Sequence, residues 1–116
     1  KDGRYGLIVK DETLKPKPQK NLHVVWSSGG VTGPWLAAGP AFTDNQEAWA
    51  EGPAVIRVDA QWLVYFDKYN KGGYGAVETK DFQTFASVKV SLPKGIRHGT
   101  IVAVGEAVAR GLMAGR

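Results

Sequence analysis

AWAEGPAVIRV, residues 48–58, sets an acid, Glu51, two positions after Trp49 and directly before Gly52-Pro53, and then begins a β-type run. A carboxylate at the head of an apolar strand is either a turn acid or a group held within reach of a substrate. A second stretch bears on the choice. RHGTIVAV from Arg97 aligns with EGPAVIRV from Glu51 through Gly99 and Gly52, which sets His98 opposite Glu51. Two further alignments accompany it. DGRYGLIV from Asp2 matches DAQWLVYF from Asp59 at an offset of 57 positions, and NLHVVWSSGGVTGPW shares an outer strand, a polar turn and an aromatic with GYGAVETKDFQTF.

Short β-type runs recur along the chain: RYGLIV, NLHVVWS, PAVIRV, QWLVYF, YGAVET, ASVKVSL and GTIVAV. Turn signals (SSGG, VTGP, NKGG, LPKG) separate them, and this spacing indicates an all-β meander, sandwich, barrel or propeller. The internal repeat favours the propeller, because a period near 50 residues with about four strands is one blade. The expected organisation is a partial blade lacking its inner strand over residues 1–43 and a blade carrying Glu-Gly-Pro over 44–96. The inner strand of a last blade follows over 97–104, and a helical tail over 105–116 carries Val108, Leu112 and Met113 along one side. In a propeller the leading ends of the inner strands gather at one mouth of the axial channel. Glu51 and His98 then face one another across blades, and glycine after each lets the backbones pass closely.

Composition narrows the function classes. A hydrophobic fraction of 43% allows a packed core, and the absence of cysteine excludes disulfides and thiolate chemistry. No apolar run approaches the roughly 18 residues needed to span a bilayer, so no membrane partner is expected. The net charge of +4 raises the question of nucleic acid, but Lys10, Lys15, Lys17 and Lys20 cluster in KDETLKPKPQK, whose prolines predict an exposed, solvated loop. No nucleic-acid partner is expected either. The chain opens on Lys1-Asp2-Gly3 without a visible signal peptide, as expected of a piece of something longer. Cytoplasmic, periplasmic and secreted compartments all stay open.

EGPAVIRVDAQWLVYFDKY, followed by YGAVETKDFQTF and LPKGIRHGTIVAV, resembles the C-terminal part of glycoside hydrolase family 43 over residues 1–112. That family comprises five-bladed β-propeller enzymes, arabinofuranosidases and xylosidases, acting on arabinose- and xylose-containing glycans. Related sucrose-cleaving propellers carry Glu-Cys where this chain has Glu51-Gly52. The resemblance implies an inverting mechanism, in which an acid protonates the leaving oxygen and a second carboxylate, roughly 6.5–9.5 Å away, activates water. It implies Glu51 as the general acid, Trp49, Asp67, Tyr69 and Arg97 as sugar contacts, with Asp67 and Tyr69 on a loop at the same end. It further implies His98 as a ligand, through water, of a structural calcium ion at the propeller axis, with no cofactor needed for the reaction.

The resemblance also implies what is missing. The base aspartate and the aspartate that tunes the acid's pKa have no counterpart here, and Asp2 reads as a turn residue. A lone acid gives little hydrolysis, because water must still be activated and positioned. The expectation is therefore a portion of an enzyme, inactive alone, that pairs with missing blades or self-associates through open strand edges. The alternative is a non-catalytic carbohydrate-binding or structural propeller fragment. A general protein-interaction propeller ranks last, since it needs no Glu51–His98 constellation. His23 lies in strand alternation and reads as structural. Two histidines without matching spacing make no tetrahedral zinc site, and Ser27-Ser28 lack a nucleophile elbow. Trp26, Trp35 and Trp62 read as blade packing, with Trp49 set apart by its place beside the acid.

Overall fold

The structure is a computed structural model and describes residues 3–115; Asp2 lies outside the described residues. Its architecture is mostly β. Strands β1 (Tyr5–Lys10) and β2 (Leu22–Ser27) form an antiparallel pair. Strands β3 (Ala50–Val58), β4 (Gln61–Lys68), β5 (Tyr74–Thr79) and β6 (Ala86–Val88) form a four-stranded antiparallel meander in chain order. Five of the seven runs read from the sequence coincide with β1 to β5 and the first residues of ASVKVSL form β6, as residues that fill a pleated surface should.

Turn chemistry sets the register. Val58 pairs with Gln61, so the β3–β4 hairpin turns on Asp59-Ala60, with Asp59 in the left-handed region at φ 51°, the conformation that tight hairpins demand. The β6 strand is only three residues long. Outside β2, residues 36–42 follow the strand without forming a ladder. Leu36 N–H donates to Trp26, Gly39 N–H to Val24 and Phe42 N–H to Leu22. Only His23 and Ala41 form a bridge. Pro40 has no N–H to give, which interrupts the third strand of this first unit.

One core joins the two sheets. Leu22 of β2 packs with Ala50, Val64, Phe66 and Val77 of β3, β4 and β5, and Ile8, Phe42, Phe82 and Phe85 close around them. Phe42 stacks on Phe85 at 4.3 Å between centroids, and Phe82 takes both Trp26 (5.9 Å) and Trp62 (5.4 Å). These tryptophans are packing residues, as expected. An apolar cleft of about 370 Å³ lies where the sheets diverge, lined by Ile8, Trp26, Pro53 and Trp62 among others.

Two expectations are corrected here. Residues 97–104 form no strand. A strand needs a partner for its N–H and C=O groups, and the segment after it is the helix α1 (Glu106–Ala114), so none of the described residues supplies one. Lys20, expected in a solvated loop, is buried and ion-paired to Glu12, while Lys15 and Lys17 are exposed. The helix itself buries nothing: Val108, Leu112 and Met113 are all exposed. The radius of gyration, 15.7 Å, exceeds the roughly 13 Å of a compact chain this long. Among the described residues no helix is long and apolar enough to cross a membrane.

Candidate functional site

Glu51 stands at the head of β3, directly opposite Asp67 near the end of β4. A bulge follows between Glu51 and Ala54, formed around Gly52 at φ 55°. The bulge turns the head of the strand and re-aims the acid, as bulges beside sites do. A Cβ on Gly52 would lie 3.2 Å from His98 Cδ2, so the glycine both permits the left-handed backbone and leaves room for the imidazole.

The six residues singled out from the sequence come together. His98 Nε2 donates to Glu51 Oε1 at 2.8 Å, which places the ring hydrogen on that nitrogen, and Arg97 reaches the same oxygen at 3.4 Å. Arg97 Nε donates to Asp67 Oδ2 at 2.8 Å. Trp49 packs on Tyr69 at 5.7 Å between ring centroids, and the two are tied by the Tyr69 N–H, which donates to the Trp49 carbonyl. Asp67 departs from its expected place. It lies within β4 rather than on a loop, and only 2% of its side chain is exposed, so it holds Arg97 and does not present itself to a sugar. His23 is structural as expected, its Nδ1–H donating to the Gly39 carbonyl at 2.8 Å.

Lys10, at the end of β1, belongs to the site and was not foreseen. Its ammonium lies 2.9 Å from Glu51 Oε2, 2.6 Å from Glu12 and 4.4 Å from the centre of the Tyr69 ring. A signal existed: at the repeat offset of 57, Lys10 falls on Asp67. Equivalent positions of the two sequence repeats come together here, whatever their charge.

Electrostatics follow from these contacts. Burial pushes the Glu51 carboxyl up, but the hydrogen bonds and charges of Lys10 and His98 outweigh it and hold the group below its ordinary value. Burial likewise opposes the charge on Lys10, yet Glu12 and Glu51 raise its pKa well above the usual lysine value. Asp67 raises that of Arg97. As it stands, Glu51 is a carboxylate among cations.

One oxygen each of Glu51 and Asp67 and a nitrogen of His98 lie within 4.8 Å of one another. They do not fit a calcium ion. Calcium takes about six to eight oxygens; here two carboxylates already receive Lys10 and Arg97, whose charges repel a cation. A recess of about 500 Å³ opens beside the cluster, lined by Asp67, Tyr74, Pro93, Ile96 and Arg97 among others. No family model, no curated protein and no solved structure matches the chain.

Proposed function

We propose that this chain is the C-terminal portion of an inverting glycoside hydrolase of the five-bladed propeller type, acting on arabinose- or xylose-containing glycans, with Glu51 as general acid. The observation that supports it is the contact between Glu51 and His98 at 2.8 Å. These residues are 47 apart in the chain and occupy one position of two sequence repeats. Trp49 and Tyr69 supply aromatic faces beside the acid, and Arg97 supplies guanidinium donors to sugar hydroxyls.

On this reading the site lacks a base and a group to raise the pKa of its acid. Asp67 is too close to Glu51 and too fully engaged with Arg97 to activate a water between them. A carboxyl held low by neighbouring cations donates no proton near neutrality unless another anion stands by to raise it. Both needs are met by carboxylates from further blades, and the edge of β1 that has no partner among the described residues is where such a strand would pair. The ion-paired state of Glu51 supports a second reading, in which the same mouth binds a glycan without cleaving it.

The test is hydrolysis of aryl arabinofuranosides and aryl xylosides by wild type and Glu51→Gln, with intact mass recorded on each sample. The reading expects activity, lost in Glu51→Gln, only where the mass exceeds 12.5 kDa or a second chain is present. Hydrolysis by a chain of 12.5 kDa alone would overturn the assignment of the base to other sequence. Binding of xylan or arabinan fragments without hydrolysis in the longer form would select the second reading.

A further inference from the structure

We propose that Lys10 is the positioning residue of Glu51. Its ammonium caps Oε2 and leaves Oε1 as the oxygen that carries and delivers the proton, a role that rests on the reading of Glu51 as the acid.

The two oxygens of Glu51 live in different surroundings. Oε2 meets Lys10, which is 19% exposed and fixed on three sides by Glu12, Glu51 and the Tyr69 ring. Oε1 meets His98 and Arg97, which are 56% and 57% exposed and sit on the strand-free segment before α1. A glycan entering from solvent can displace the partners of Oε1 at little cost, because both can be rehydrated. Displacing Lys10 would break the ion pair between β1 and β3 and leave the ammonium, still held by Glu12 and the Tyr69 ring, with one carboxylate fewer. The oxygens are thereby sorted, one fixed and one free to exchange partners.

The sorting matches the chemistry of proton delivery. The O–H bond at Oε1 breaks as the glycosidic C–O bond breaks. The leaving oxygen keeps the electron pair of that bond and takes the proton, and water, deprotonated by a carboxylate base on other sequence, captures the sugar carbon. Glu51 is left as a carboxylate beside an ammonium already in place. Such a preorganised charge favours the transition state without reorganisation. Lys10 is no proton donor itself, since two carboxylates hold it charged. The groups facing Glu51 are Lys10 of β1, Asp67 of β4, and Arg97 and His98 from the segment after β6; Glu12 and Tyr69 bear on it through Lys10.

The test is a carboxyl-carbon NMR titration of Glu51, assigned through Glu51→Gln, in wild type, Lys10→Met and Lys10→Arg. Lys10→Met should raise the Glu51 midpoint by about one pH unit or more, and Lys10→Arg should return it close to wild type. A midpoint indifferent to Lys10→Met overturns the positioning role, as does an equal rise in Lys10→Arg. Lys10→Gln replaces Lys10→Met if the latter fails to fold. In the hydrolysing form, Lys10→Met should move the alkaline limb of the kcat–pH profile to higher pH together with the Glu51 midpoint, and lower the plateau kcat most for aryl glycosides with poor leaving groups, with KM little changed. Absence of hydrolysis in every form would remove the delivery role together with the acid reading, whereas the titration judges the Lys10 contact on its own.

Discussion

Arg97 Nε lies 2.8 Å from Asp67 Oδ2, and the two ends of this ion pair differ sharply in exposure: the guanidinium is 57% exposed and the carboxylate 2%. The pair is therefore asymmetric under mutation. Arg97→Met leaves a buried carboxylate without its charge partner, which is costly. Asp67→Asn leaves an exposed guanidinium that water can solvate. Arg97→Met should lower the urea midpoint distinctly more than Asp67→Asn, measured by tryptophan fluorescence at pH 7. Equal midpoints, or the reverse order, would mean that the pair does not hold the segment carrying Arg97 and His98 against β4.

Gly52 is the second point of leverage. Alanine at φ 55° costs about 1–2 kcal/mol in backbone strain, and its methyl would press on His98. Gly52→Ala should therefore destabilise by roughly that amount and also weaken the His98–Glu51 hydrogen bond. The second effect is read from the imidazole nitrogen shifts of His98, which should move toward those of a solvated ring. Loss of stability with unchanged shifts would separate the bulge from the site.

How much of this could be read from the chain depends on what each feature needs. Glu51 and His98 were legible because a repeat places equivalent residues at equivalent points, and the glycine after each marks the close approach. The four strands of the second unit were legible from alternation and turn residues. Lys10 was obscured by its neighbours: among Lys15, Lys17 and Lys20 it looked like one more solvated charge, and its match to Asp67 at the repeat offset of 57 was the one mark in the sequence that set it apart. The segment 97–104 misled for another reason. Val102 and Val104 have strong β-propensity, but propensity makes a strand only where another strand completes it, and both side chains are exposed.

Asp81 offers a pH test outside the site. Its Oδ1 accepts from the backbone N–H groups of Thr84 at 2.9 Å and Gln83 at 2.8 Å, and these bonds hold its pKa at about 2. A carboxyl depressed in the folded state contributes stability that is fully present above its ordinary value, near 3.9. That contribution is lost as pH falls through about 2. An NMR titration should give Asp81 a midpoint near 2, and Asp81→Asn should abolish the loss of stability in that window. A midpoint near 3.9 would mean that the 81–84 turn is not held by this carboxylate in solution.

The shared core makes a prediction about cooperativity. Leu22 of β2 is fully buried against residues of β3, β4 and β5, so it is one of the side chains through which the two sheets hold one another. Leu22→Ala should cost about 2–5 kcal/mol. Unfolding should still be a single transition, with near-ultraviolet circular dichroism and tryptophan fluorescence changing together. Separate transitions for the two probes would mean that the β1–β2 pair is a loosely attached unit.

The free edge of β1 bears on association. Strand β1 has one hydrogen-bonded neighbour, β2, among the described residues, and Tyr5 and Leu7 on it are exposed. An exposed apolar edge strand with unpaired N–H and C=O groups is a template for another strand. Under the proposed function that strand comes from a further blade; in its absence a second copy of the chain is the available partner. Sedimentation velocity of the 12.5 kDa chain should show concentration-dependent association. Leu7→Lys should suppress it by placing a charge on the edge without touching the core, whereas Val108→Lys on α1 should leave it unchanged. Association abolished by Val108→Lys instead would move the interface to the helix, and a monodisperse monomer at all concentrations would show that β1 tolerates its open edge.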